Sequence, residues 1–133
     1  VFDGVINAGY AIWREFAAIY LSANVQGIEY YPTLSEIKQD VLEIAELIRL
    51  DNPTAKVSMS DFLACIMMSR EASRESSWES ANVWLNKIGL THFIGIANHV
   101  YIQTCSERFW EIDVEFIETL GSAYFAVLAK NRR

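Results

Sequence analysis

Apolar residues return along this chain at spacings of three and four, the period of an α-helix with one face turned inward. Between Asp3 and Asn24 the positions Val5, Ile12, Trp13, Phe16, Ile19, Tyr20 and Ala23 share one face. Gly27 and Pro32 break the pattern, so residues 25–32 read as a connection. A second helix is expected to about Leu50, with Leu34, Ile37, Val41, Ile44 and Ile48 inward. Thr33-Leu34-Ser35-Glu36 marks its start as a capping box, in which the hydroxyl and the carboxylate each satisfy an orphan N–H. Asp51-Asn52-Pro53-Thr54 ends it, because proline disfavours a helical residue before it.

Ser58-Met59-Ser60-Asp61 repeats the capping signature and predicts a third helix, with Met59, Phe62, Leu63 and Ile66 inward. Ser76-Ser77-Trp78-Glu79 opens a short fourth, bearing Trp78, Ala81, Trp84, Leu85 and Ile88 inward. Gly89 stands where a left-handed residue would stop it. Thr91 is the expected cap of a fifth helix through about Ser106, and a sixth is expected from Glu107 to Lys130. Neither Pro nor Gly separates these two, so a single long helix is an open alternative. Lys130, Arg132 and Arg133 would complement the dipole at its end. With short connections and no internal repeat, the pattern predicts an all-α fold, a single-domain bundle of five to six helices spanning residues 1–133.

Composition supports a core: 52 % of the residues are hydrophobic and 21 % charged. The net charge of −6 repels phosphate backbones, so direct nucleic-acid or anionic-membrane binding is not expected. The longest stretch free of charged residues, Ile88 to Ser106, carries His92, Asn98, His99 and Gln103, too polar for a membrane span. Two cysteines, Cys65 and Cys105, are too few for a disulfide framework. Both read as reduced thiols packed as small hydrophobes. The chain opens at Val1 without a basic, signal-like stretch, and a cytoplasmic setting is the expectation.

Two acidic ridges are the main chemical feature. At about 100° per residue, Glu36, Asp40, Glu43 and Glu46 lie opposite the core stripe of the second helix. Glu107, Glu111, Glu115 and Glu118 do the same on the last. The pairs Glu43/Glu46 and Glu115/Glu118 have E-x-x-E spacing. Two such pairs meeting across a bundle could hold Mg²⁺ or Mn²⁺, the logic of an all-α nucleotide pyrophosphohydrolase. Both pairs nevertheless point away from their own core faces, which favours solvated ridges.

Other chemistry is sparse. His92 and His99 share a face but stand two turns apart, too far for one metal ion. The chain contains no G-x-S-x-G, P-loop, G-x-G-x-x-G, H-E-x-x-H or C-x-x-C. Asp113 falls in the apolar stripe of a helix starting at Glu107, among Phe109, Phe116, Ile117 and Leu120. An unpaired carboxylate there would be costly, so it is expected to cap a helix or meet a donor.

Leu47 and Leu50 project from the acidic side of the second helix. Tyr10, Leu21, Phe125 and the pair Tyr30-Tyr31 also fall off the core stripes. Surplus apolar groups beside acidic ridges suggest a presented surface. The leading expectation is a non-enzymatic protein-binding domain of the inhibitor or immunity-protein kind, using no cofactor and docking on a basic partner. Glu36, Asp40, Glu43 and Glu46 would steer association, with Leu47 and Leu50 as anchors. The metal-dependent hydrolase, with Glu43, Glu46, Glu115 and Glu118 as ligands, is the rival. A structural homo-oligomer is the third reading.

Overall fold

The computed structural model describes residues 2–27, 32–71, 76–106 and 110–131. These residues form six α-helices: α1 (Phe2–Gln26), α2 (Leu34–Arg49), α3 (Ala55–Glu71), α4 (Ser76–Ile88), α5 (His92–Thr104) and α6 (Val114–Asn131). The described residues contain no strand. Every helix contributes to one contiguous apolar cluster, from Ile12 and Phe16 of α1 to Leu120 and Val127 of α6. The bundle of five to six helices read from periodicity is therefore the observed architecture. No described helix is long and apolar enough to cross a membrane.

The stripes of α1, α2 and α3 face inward as expected. Ile12, Phe16, Val41, Ile44, Ile48, Met59 and Leu63 are all buried. Ile88 of α4 departs from its stripe and stands exposed, because the helix is already ending at that residue.

Helix ends follow local chemistry. At the start of α2, Glu36 N–H donates to Thr33 Oγ1 at 3.2 Å, and Thr33 N–H donates to Glu36 Oε1 at 3.1 Å. That helix closes with Asp51 at φ 56°: Asn52 N–H reaches Leu47 O, and Asp51 N–H reaches Ile48 O. The same paired closure recurs after α4. Gly89 sits at φ 77°, Leu90 N–H donates to Leu85 O, and both leucines are buried. The stop assigned to Gly89 is thus present.

Three boundaries differ from the sequence reading. First, α3 starts a turn before Ser58, because Asn52 Oδ1 accepts from the Thr54 N–H at 3.0 Å and sets the first turn around Pro53. The Ser58–Asp61 signature therefore lies inside the helix, where Ser58 N–H is bonded to Thr54 O. Second, Thr91 stands at the N-cap of α5 but already has helical dihedrals and makes no side-chain cap bond. Third, α5 and α6 are separate, and α6 begins at Val114 rather than Glu107. Asp113 Oδ1 accepts the Phe116 N–H at 2.8 Å and caps it. The expected capping role of Asp113 holds, while its place in an apolar stripe does not: it is exposed.

α1 packs most extensively against α6 and α3. Two glycines make the α1–α6 crossing close. A β-carbon on Gly9 would overlap the Ile117 carbonyl oxygen, and one on Gly121 would overlap the Val5 carbonyl oxygen. On the α3 side, Ser60 is fully buried, with Oγ 2.9 Å from Ile12 O and 2.8 Å from Lys56 O. α5 is tied to α6 by His99, whose Nε2 lies 3.1 Å from Phe116 O while its ring stacks on Phe116 at 4.4 Å.

Candidate functional site

The ridge of α2 is built by i, i+4 and i+3 steps, which place Glu36, Asp40 and Glu43 along one flank. α3 runs beside it, and Asp61 adds a fourth carboxylate. Asp40, Glu43 and Asp61 line a cleft of about 140 Å³ between the two helices. Ser58 stands at its edge, and Ile44 and Phe62 form its apolar walls.

Burial and this crowding both act on the groups around the cleft. Asp40 is held above its ordinary value of 3.8 by partial burial, then by Glu43, Asp61 and Glu36. One turn beyond Asp61, the Cys65 thiol is pushed up to about 12 by burial, with Asp61, Asp40 and Glu36 adding to the effect. The flank is therefore a region of concentrated negative potential around a recess.

Glu46 does not belong to it. Arg49 Nε donates to Glu46 Oε2 at 2.9 Å, and a second guanidinium N–H reaches Oε1. This two-pronged pair lowers the Glu46 carboxyl from its usual range, first through the hydrogen bond. The apolar anchors also redistribute. Leu50 is 58 % exposed, but Leu47 packs part of its surface on the core. Leu42, unremarked in the sequence, is 54 % exposed beside Glu43.

The four carboxylates of the metal reading, Glu43, Glu46, Glu115 and Glu118, are not gathered at one point. Among the described residues no group of three or more His, Cys, Asp or Glu is placed to hold a metal ion. In the cleft, Glu43 and Asp61 stand close enough to Asp40 to help raise its affinity for protons, but the three are not gathered to hold a metal ion. Glu111 and Glu115 are exposed and Glu118 is half-buried. Glu107, Tyr30, Tyr31, Phe109, and the side chains of Lys130, Arg132 and Arg133 lie outside the described residues.

The remaining candidates have local explanations. His92 is exposed at the start of α5, and His99 is the α5–α6 tie already described. Both cysteines are free thiols, as expected. Their packing differs from expectation, however. Cys65 is half-buried, and Cys105 is exposed because it forms the C-cap of α5.

Sequence reasoning missed Asp61 as a member of the acidic flank, because its position in Ser58–Asp61 suggested a cap. Had α3 been started at Pro53, helical spacing would have placed Ser58 and Asp61 on one face. Two further recesses were also not legible. One, of about 270 Å³, lies where the α2–α3 turn meets Tyr124 and Phe125 of α6. The other, of about 280 Å³, opens between α1 and the segment entering α6.

Set against known proteins, the chain matches no family model, no curated protein and no solved structure.

Proposed function

We propose that this chain is a non-enzymatic protein-binding domain, whose α2–α3 flank receives a basic side chain of a partner protein. The observation that carries the reading is the convergence of Asp40, Glu43 and Asp61 around one recess, with Glu36 a turn away along α2. Holding Asp40 partly buried beside Glu43 and Asp61 is unfavourable for the free domain. A lysine or arginine entering the recess would relieve that repulsion, while Ile44 and Phe62 cover the aliphatic part of its side chain. Exposed Leu42 on α2 and Leu50 at its C-cap, both outside the recess, would add apolar contact.

The long-range part of this attraction sets association rate more than residence time. Reversing Glu36 and Glu43 together to lysine is expected to slow association with the native partner at least about tenfold at low salt. The difference should shrink as salt is added, since the Debye length falls to about 8 Å near 0.15 M. The partner is obtained by co-purification from the native host and followed by stopped-flow or surface plasmon resonance. An unchanged association rate in the double variant removes the α2–α3 flank as the docking surface.

A further inference from the structure

We propose that the recess where the α2–α3 turn meets α6 binds a small molecule carrying one carboxylate and an apolar body. The recess measures about 270 Å³, and Ile48, Pro53 and Phe125 form its apolar lining. Pockets for drug-sized ligands start near roughly 300 Å³, so the fitting occupant is small. Tyr124 of α6 carries the argument. It lines the recess and is only 5 % exposed. Its hydroxyl has no hydrogen-bond partner among the described residues. Nor is that oxygen sealed, since the unpaired side-chain atom shut off from solvent is Asn82 Oδ1. A largely buried donor without a protein acceptor is left to find one in the recess it borders. Burial pushes the phenol pKa up, so the hydroxyl keeps its proton and donates.

Positive potential selects the acceptor. Lys56 of α3 lines the same recess, and its ammonium enters no ion pair among the described residues. The first turn of α3 adds to it. Asn52 O accepts the Ala55 N–H and Thr54 O accepts the Ser58 N–H. Between them, the N–H groups of Lys56 and Val57 have no acceptor among the described residues. A carboxylate reaching Lys56 and the Tyr124 hydroxyl would lay its apolar body on Phe125, Pro53 and Ile48. Asp51 lines the recess too and limits the charge it accepts, so a dianion such as phosphate is repelled where a monoanion is held. This ligand is opposite in charge to the group proposed for the α2–α3 flank, and the two sites stand or fall separately.

The probe is phenylacetate, titrated into the full, isotopically labelled chain and followed by amide chemical shifts. Saturable shifts should centre on Lys56, Val57 and Tyr124, with a Kd in the millimolar range or tighter. Phenylacetamide, which has the same shape without the charge, should bind at least about tenfold more weakly, and so should inorganic phosphate. Lys56→Gln should weaken phenylacetate about tenfold, and Tyr124→Phe, which keeps the ring, about threefold. Amide shifts far from the recess, unchanged from the parent, report that each variant is folded. The proposal is overturned by any of four results: no saturable shift in the millimolar range, equal binding of the amide, tighter binding of phosphate, or full affinity in either folded variant.

Discussion

Asp113 shows how one short side chain decides where a helix begins. Its carboxylate receives the Phe116 N–H, so the chain can turn into α6 without leaving that donor unsatisfied. Replacing it with alanine is expected to cost about 1 kcal/mol, seen as a lowered melting temperature, while Asp113→Asn should recover most of the loss. An unchanged melting temperature in Asp113→Ala would show that the cap contributes nothing. The two thiols make an equally direct comparison. Cys105 is exposed at a helix end, whereas Cys65 is half-buried beside Asp61 with its pKa near 12, and only the thiolate is nucleophilic. Maleimide at neutral pH should label Cys105 first, with Cys65 reacting only on unfolding, as peptide mass mapping would reveal. Asp40 responds to acid in the opposite sense to a salt-bridged carboxylate. Its folded pKa is raised, so between 3.8 and that higher value the folded chain binds more protons than the unfolded one. Its contribution therefore favours folding at low pH and is lost as pH rises through the window. At neutral pH Asp40→Asn should stabilise the domain by no more than about 0.5 kcal/mol, given how much of the group remains in solvent. If the α2–α3 flank docks a partner as proposed, the same change should weaken that binding, and urea melts and affinity measurements can read the two effects together.

Helices differ in how openly their sequence announces them. The stripe of α2 and its capping box are local features, and both were legible because neighbouring residues determine them. The beginning of α3 was not. It depends on Asn52 bonding two residues ahead, an interaction that competes with the more conspicuous serines downstream. The division between α5 and α6 was hidden for a related reason: the break contains neither proline nor glycine. On the acidic ridge, each carboxylate's helical face could be read. Its partners could not, since the Asp61 approach to Asp40 depends on how α2 and α3 pack. Least visible was the α1–α6 crossing, because Gly9 and Gly121 acquire their meaning only from each other. Gly9→Ala and Gly121→Ala should each cost about 1–3 kcal/mol by forcing the helices apart, measurable by thermal or urea unfolding. Gly4→Ala on the same helix, where an added β-carbon has nothing within 4 Å, is the matched control and should be neutral or slightly stabilising.

Across the whole molecule, charge and apolar surface are unevenly distributed. The α2–α3 flank concentrates carboxylates around a recess, while the recess between α1 and the start of α6 is lined mainly by apolar residues, with Asp113 among them. Both recesses depend on the folded state, in which helices distant in sequence meet. The glycine crossing then bears on how that state is reached. α1 leaves the ribosome long before α6 has been synthesised, yet α6 is its principal neighbour. During translation Ile12, Trp13 and Phe16 lack the cover of α6 until that helix is made. Stalled chains ending before Val114 should consequently remain protease-sensitive, and release of the completed helix pair should be the step that confers resistance.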